Sequence, residues 1–435
     1  MIADAKTIYA PATGPGRAGI AVIRISGPAA DDVLRALTRR PLPEPRRAAL
    51  RRLRRGGALI DEALVLRFEA GASFTGEAMA ELHVHGGRAV QQAVLDAIEA
   101  VPGTRLAEPG EFTLRAFRNG RIDLAEVEAL GDLLAAETEA QRAQAAALLG
   151  GALHRRAEAW RATLTRALSL VEVTIDWADE EVPEDVGPEV GDLIGGVARE
   201  IRHELAVSEG AERVRSGLEV ALVGAPNAGK SSLLNALAGR EAAITSPHPG
   251  TTRDVVELRY DLSGLPVVFL DTAGLRAARD EIEAEGAARA GRRAEGASLR
   301  VLLSAPDAPL PEEAVALRMQ GDIEVRTKAD LVGCAGGGLA VSAVTGEGLD
   351  GLLAALRERL SGAAGGGLVA YRRQRQALAT GAEALETAAA GLDSLGPELV
   401  SEEVRRAVRA LERLIGRIDV ENVLDEVFGS FCLGK

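Results

Sequence analysis

The sequence predicts a multidomain chain of mixed class: an α/β domain at the N-terminus, a discontinuous helical domain, and a second α/β block inserted between its two parts. Three observations predict it. At 435 residues the chain is too long for one ordinary core. Its apolar pattern changes from short alternating runs to helical spacing near residue 121, and at Leu218 to strands alternating with helices. Helices resume beyond the glycine-rich stretch 361–367, and sequential helices find in each other the nearest partner for their apolar stripes.

In residues 1–120, short strands are expected at Ile20–Ile25, Ala63–Phe68 and Ala80–His85, punctuated by Gly, Pro and Ser, with a helix over Arg88–Val101. Residues 121–215 form the first helical part. Leu124, Val127, Leu130 and Leu134, then Leu164, Leu168, Val171 and Ile175, mark two long helices separated at Gly150-Gly151, and a further helix fits Glu189–Glu212. Residues 216–361 are the inserted block. Residues 362–435 return to helix over Tyr371–Leu392 and Ser401–Ile418 and end in the tail Phe431-Cys432-Leu-Gly-Lys435.

Composition narrows the class. No run of about 18 uncharged apolar residues is present, so no membrane span is expected. Two distant cysteines, Cys334 and Cys432, make a disulfide framework improbable and point to a reducing cytoplasm. A net charge of −13 argues against a generally cationic nucleic-acid binder. One local exception is Arg39–Arg55, with eight arginines against the single acid Glu44. A solvated loop or hairpin is the simpler reading of that run, and an RNA- or partner-facing patch the alternative.

The strongest chemical signal is Gly224-Ala-Pro-Asn227-Ala228-Gly229-Lys230-Ser231, a complete G-x-x-x-x-G-K-S loop between an apolar strand, Leu218–Val223, and a helix-forming run from Ser232 to Gly239. Its glycines allow main-chain amides to close round phosphates, Lys230 reaches the outer phosphates, and the Ser231 hydroxyl suits magnesium. Four further elements follow in order. Gly250-Thr251-Thr252 lies about twenty residues on, where a switch offers a hydroxyl to magnesium, with Thr252 the candidate. Strand Pro266–Leu270 delivers Asp271-Thr272-Ala273-Gly274, where Asp271 would hold a magnesium-bound water and the Gly274 amide meet the γ-phosphate. Strand Ile323–Arg326 leads into Thr327-Lys328-Ala-Asp330, whose Asp330 carboxylate can accept both N–H donors of guanine. Leu339–Val341 precedes Ser342-Ala343-Val344, whose amides would meet the guanine carbonyl. Each string is weak alone; five in order, after strands, imply a Ras-like P-loop GTPase using GTP and Mg²⁺.

Two departures qualify this. Thr327 stands where many guanine-binding loops have Asn, which affects affinity more than base choice. Leu275 stands where a small switch GTPase carries a water-orienting glutamine, so hydrolysis needs another group or a cation.

With these residues in view, the chain resembles the MnmE (TrmE) family of bacterial tRNA-modification GTPases over essentially its full length. The resemblance is carried by Pro15-Gly-Arg-Ala-Gly-Ile-Ala-Val-Ile-Arg24-Ile-Ser-Gly27, Ser73-Phe-Thr-Gly-Glu77, His85-Gly-Gly87, Pro109-Gly-Glu-Phe112, Asn119-Gly-Arg-Ile-Asp-Leu-Ala-Glu126 and the Phe431–Lys435 tail. It implies a homodimer formed through an N-terminal domain that binds 5-formyl- or methylene-tetrahydrofolate. It also implies a flavin-dependent partner, MnmG, in a heterotetramer that adds a carboxymethylaminomethyl-type group to C5 of the wobble uridine of certain tRNAs. Hydrolysis would be activated by K⁺ where two GTPase domains meet.

By motif position the resemblance assigns folate contacts to Arg24, Glu81, Arg121 and Lys435. It assigns K⁺ to Asn227, Ser246, His248 and Thr251, and the water-orienting carboxylate to Glu283 in Asp280-Glu-Ile-Glu283. Catalysis is thus expected of Glu283, Thr252 and Asp271. Glu81, His83 and His85 share one strand face, which suits a polar ligand wall, while a solvent-facing edge and a metal site are competing readings. Cys432 is a candidate for uridine or one-carbon chemistry if a cation lowers its pKa, and a plain buried tail cysteine otherwise. Two other classes stay open: a ribosome-assembly or translation GTPase sharing only the GTPase domain, and a GTP switch with negligible turnover.

Overall fold

The computed structural model describes residues 6–176, 186–244, 257–271, 291–332, 338–363, 365–392, 394–418, 428, 431 and 434. The chain divides into two compact units, residues 1–131 with 412–435, and residues 132–411.

The first unit is built on a six-stranded sheet. Its strands are β1 (Thr7–Pro11), β2 (Ile20–Ser26), β3 (Ala49–Arg55), β4 (Ala58–Phe68), β5 (Met79–His85) and β6 (Thr104–Leu106), in the order β3-β4-β5-β2-β1-β6. Neighbours run antiparallel except for the β1–β6 pair. Helices α1 (Ala30–Thr38) and α2 (Arg88–Glu99) bury Val33, Leu34, Leu37, Val94 and Ile98 in one core with Ile23, Ile25, Leu53 and Leu82. Strand alternation sends Ile20, Leu50 and Leu64 to the opposite side, where they are 62%, 62% and 39% exposed. Helix α3 (Glu111–Arg118) follows, then α4 (Leu124–Ala135), whose Val127 packs with Phe428 and Phe431 from the C-terminal segment.

The arginine run is the loop and hairpin that the sequence offered as its simpler reading: residues 39–48 lead into the edge strand β3, which a Gly56-Gly57 turn joins to β4 in an antiparallel pair, with Leu53 wholly buried. One expectation for this region is corrected. The stretch 124–176 forms three helices rather than two. The additional break falls at 136–138, where Thr138 accepts from Gln141 N and the Gln141 side chain returns to Thr138 N, a reciprocal cap that starts α5 (Glu139–Leu149).

The second unit contains α5, α6 (Ala152–Asp176) and α7 (Gly187–Ser216), then a seven-stranded sheet. Its strands are β7 (Leu218–Gly224), β8 (Ala243–Ile244), β9 (Glu257–Leu262), β10 (Leu265–Asp271), β11 (Leu299–Ser304), β12 (Ile323–Arg326) and β13 (Leu339–Ala340). The order is β13-β12-β11-β7-β10-β9-β8, parallel from β13 to β10 and antiparallel at β9 and β8. Continuous apolar runs such as Val220–Val223 reflect burial on both faces of a parallel sheet. Helices α8 (Lys230–Ala238) and α9 (Leu349–Ser361) flank it, and α10 (Arg372–Gly391) and α11 (Pro397–Leu414) complete the unit apart from the last residues of α11.

Helices on either side of the sheet in chain order pack on each other: Arg202 of α7 forms a two-pronged ion pair with Glu386 of α10, both contacts at 2.6 Å. Where the chain leaves α7 and where it returns, one side chain holds both ends. The Arg215 guanidinium lies 4.3 Å from the Tyr371 ring centroid, and its Nε donates to Ala370 O at 3.1 Å. No described helix is long and apolar enough to cross a membrane.

Candidate functional site

In the second unit, β7 ends at Gly224 and α8 begins at Lys230, with the phosphate-binding motif as the connection. Gly224 is required by its neighbour: a Cβ there would lie 2.5 Å from Leu303 O across the β7–β11 pair. Asn227 and Gly229 adopt φ of 65° and 89°, left-handed values that curl the loop so that successive amides can point inward. Lys230 is buried, and its Nζ donates to Gly224 O at 2.7 Å and Ala225 O at 3.0 Å, within its own loop. Ser231 and Ser232 lie exposed at the mouth.

Two contacts join this loop to the other motifs. Ser231 Oγ donates to Asp271 Oδ2 at 2.8 Å, because β10 pairs in parallel with β7 and carries Asp271 beside Leu222. That hydroxyl and carboxylate fit a magnesium ion, being hard oxygen donors next to a cradle of amides. On the other side, Thr327 Oγ1 donates to Ala228 O at 2.7 Å, with Ser304 O at 3.2 Å. The residue that departs from the guanine-loop pattern is therefore the bond between base loop and phosphate loop. Ser342 Oγ donates to Asp330 Oδ1 at 2.6 Å and accepts from the Val344 and Thr345 amides, which turns Ser342-Ala343-Val344 toward the carboxylate. Lys328, at φ 57°, pairs with Asp307 at 2.7 Å, and the hydrogen bond from that ammonium holds the Asp307 carboxyl below its ordinary range.

Ser246, His248, Thr251, Thr252, Thr272, Ala273, Gly274 and Glu283 lie outside the described residues, as do Cys334, Cys432 and Lys435.

The first unit holds a cavity of about 470 Å³. Phe68, Phe74, Met79 and Leu130 give it apolar walls; Arg24, Arg46, Glu81 and Arg121 give it polar ones. Arg24 of β2 faces Glu81 of β5 in register, and its Nε and Nη2 donate to Glu81 Oε1 at 3.2 and 3.1 Å. The guanidinium also lies 5.6 Å from the Phe74 centroid and 5.9 Å from that of Phe112, so rings and carboxylate together fix its plane. Arg24 Nη1 reaches Gly434 O at 3.5 Å, which sets the penultimate residue of the tail beside the cavity.

Glu81, His83 and His85 do share a face, but they diverge in use. His83 Nε2 is buried, without a hydrogen-bond partner, 3.6 Å from Glu81 Oε2. His85 turns to Asp61, with Nδ1 2.7 Å from Oδ1 and its amide donating to Oδ2 at 2.8 Å. Burial pushes the Asp61 carboxyl up, and the hydrogen bonds from His85 and the Glu62 amide outweigh it, leaving the group below the ordinary range. No cluster of three or more metal-ligating side chains occurs among the described residues.

The cavity combines apolar walls, a carboxylate anchored by Arg24 and an excess of guanidinium, a lining that suits an anionic ligand with a flat apolar part. Arg46 is the charged lining residue that sequence reasoning did not assign to this site. It sat within the arginine run, and its only distinguishing sign was the preceding Pro43-Glu-Pro45 turn.

A P-loop bonded to a strand-end aspartate on one side and a base loop on the other, on a mainly parallel sheet, places the second unit in the class of phosphate-loop nucleotide-binding domains. Comparison with known proteins carries this further. The family model described as "GTP-binding protein TrmE N-terminus" matches residues 7–121, and that described as "MnmE helical domain" matches residues 124–432. The "tRNA modification GTPase MnmE" of Cereibacter sphaeroides is 54% identical over 432 residues, 99% of this chain and 100% of that one. The protein of the same name from Roseobacter denitrificans is 52% identical over 437 residues, again covering 99% and 100%. Among solved structures, the G domain of the T. maritima FeoB iron transporter is 26% identical over 33% of this chain and 98% of that one, at a TM-score of 0.25. The chain belongs to the MnmE family.

Proposed function

We propose that this chain is the GTP-hydrolysing component of a cytoplasmic tRNA-modification complex. As a homodimer working with the flavin-dependent partner MnmG in a heterotetramer, it adds a carboxymethylaminomethyl-type group to C5 of the wobble uridine of certain tRNAs. The one-carbon unit comes from 5-formyl- or methylene-tetrahydrofolate held in the N-terminal cavity. The reading rests on one observation above the rest: a single loop, Gly224–Ser231, bonds to Asp271 on its metal side and to Thr327 on its base side, in a chain of the MnmE family.

In this reading Lys230 holds the outer phosphates, Ser231 and Thr252 offer hydroxyls to Mg²⁺, and Asp271 orients a water of that ion. Asp330 selects guanine, and the amides of Ser342, Ala343 and Val344 meet its carbonyl. Bound Mg²⁺ and K⁺ would supply positive charge at the phosphates, the K⁺ held by Asn227, Ser246, His248 and Thr251. Glu283 orients the attacking water, a task Leu275 lacks the polarity to perform. Cys432 is the candidate for chemistry at the cavity, a reading supported by the contact that Gly434, two residues further on, makes with Arg24.

The four-part division at residues 120, 215 and 361, with the GTPase inserted in the helical domain, draws support from the Arg215–Tyr371 clasp. The homodimer draws support from Ile20, Leu50 and Leu64, large apolar side chains left exposed on one face of the sheet.

The test is GTP turnover in potassium and in sodium salts. A cation doing the work of an arginine finger predicts a large preference for potassium, within the roughly 10³–10⁵-fold range of that effect. Glu283→Ala should lower kcat by about 10²–10⁴-fold with GTP binding retained. Equal rates in the two salts would remove the potassium claim, and unaltered turnover in the variant would remove Glu283. The wider role is read from tRNA of cells lacking the protein, which should have lost the modified wobble uridine.

A further inference from the structure

The cavity of the N-terminal unit carries three arginines against one carboxylate. Arg24 and Glu81 cancel each other through two hydrogen bonds. Arg46 and Arg121 have no carboxylate partner among the described residues, so the lining presents two uncompensated guanidinium groups. Both side chains are exposed at the edge of the cavity, where a planar fork can meet an incoming anion through two N–H donors.

Arg46 is held there against local cost. Its φ of 58° puts a side-chain-bearing residue in the left-handed region, at roughly 1–2 kcal/mol. Strain of this kind persists where the surroundings over-determine the conformation, and it concentrates at ligand sites. Two bonds do the holding: Arg46 N donates to Arg67 O at 2.8 Å and Nη2 donates to Ala72 O at 3.0 Å. The second aligns one edge of the fork with the cavity wall and leaves its other donors for a ligand. Glycine would take this backbone without cost, yet an arginine occupies it.

We propose that Arg46, together with Arg121, grips the dicarboxylate glutamyl tail of the pterin ligand, while the Arg24–Glu81 pair takes the ring end. Arg46 thereby becomes the residue by which the cavity distinguishes a reduced pterin with its glutamyl tail from one without. The inference rests on the tetrahydrofolate reading of the cavity and extends it to a residue outside the assigned contacts. A planar fork meets a carboxylate through two parallel N–H donors, so charge alone is an incomplete substitute.

The experiment is calorimetric titration of the full chain with 5-formyl-tetrahydrofolate and with 5-formyl-tetrahydropteroate, which lacks the glutamyl group. The parent should bind the intact ligand at least tenfold more tightly. Arg46→Gly relieves the backbone and so keeps the fold; it should lose about tenfold for the intact ligand and nothing for the tail-less one. Arg46→Lys should fall between. Glu81→Gln should weaken both ligands alike, which separates ring end from tail end. Equal losses for both ligands in Arg46→Gly, or no loss for either, overturn the role of Arg46. A parent that binds neither ligand overturns the tetrahydrofolate reading itself, a result the variants cannot imitate.

Discussion

The phosphate loop and the N-terminal cavity reach a charged ligand by opposite constructions. The loop relies on backbone: Asn227 and Gly229 at left-handed φ, amides turned inward, and Lys230 satisfied by carbonyls of its own loop. All of its essential conformation lies within eight consecutive residues. The cavity relies on side chains brought from β2, β5, the turn before β3, the 72–74 segment and the α3–α4 connection. Its polar groups are held by partners that are themselves held. Behind the lining, Ser73 donates to Glu77 O at 2.6 Å, the Glu77 carboxylate accepts from Ser26 at 2.7 Å and from Arg115 at 3.1 Å, and Arg115 donates in turn to Glu111 at 2.9 Å. A backbone-built site should therefore fail by steric intrusion, and a side-chain-built site by loss of charge.

The largest effect expected from this contrast is in the side-chain network. Glu111 binds Arg105 at 2.6 and 2.8 Å, Arg115 at 2.9 Å and the Glu108 amide at 3.0 Å. Burial raises its carboxyl, and the bonds from Arg105, Glu108 and Arg115 more than reverse this, leaving it below its ordinary value of 4.5. A depressed carboxyl contributes stability that is complete above 4.5 and is lost as pH falls through the folded-state value. Hydrogen-exchange protection of the α3 amides should hold from neutral pH to about 5 and decline below it. Glu111→Gln should cost about 1.5–3 kcal/mol at neutral pH, leaving two guanidinium groups short of a carboxylate, and should flatten the acid limb. Survival of the full acid limb in the variant would show that other carboxylates carry it.

The backbone site should respond to a methyl group. Gly224→Ala sets a Cβ 2.5 Å from Leu303 O and 3.2 Å from Leu303 Cβ, so β11 must move off β7. Overpacking of this kind costs about 1–3 kcal/mol. The β11 amides should exchange faster, and the variant should hold GTP less tightly. Normal exchange with weakened GTP binding would place the effect in the loop alone.

The same contrast explains what was legible in the sequence. The P-loop, Asp271, Asp330 and Ser342 were readable because each needs a fixed residue in a fixed local setting after a strand. Arg24, Glu81 and Arg121 emerged only through resemblance, since nothing local says that a β2 arginine will meet a β5 carboxylate. Strand β3 was legible only as part of a loop or hairpin, without bounds, because its arginines mask the period of two: Leu53 alone is wholly buried, and an edge strand tolerates charge on the rest. The break before α5 was in fact written in Thr138-Glu-Ala-Gln141, a capping signature that helical spacing overrode. Arg46 was hidden for the opposite reason. Its significance lies in a strained φ and a carbonyl acceptor at Ala72, neither of which sequence displays.

Thr327 lies between the two constructions, a side chain that closes a backbone site. Its hydroxyl has one proton, and the shorter contact, 2.7 Å to Ala228 O, takes it. Ser304 O already accepts from the Thr327 amide at 2.8 Å, so loss of the hydroxyl orphans only Ala228 O. Thr327→Val keeps the shape and should cost about 1 kcal/mol, roughly fivefold in GTP affinity, with kcat unchanged. Preference for guanine over adenine should persist, because the Asp330–Ser342 bond is untouched. Thr327→Asn offers an amide long enough to serve Ala228 O and still present a second donor or acceptor toward the base, and should bind GTP more tightly than the parent. The room is limited, since the Thr327 Cβ lies only 3.4 Å from where a Cβ on Gly229 would stand. If valine leaves GTP affinity intact, the base loop is positioned by its strand alone, and the phosphate loop is a backbone site without side-chain support.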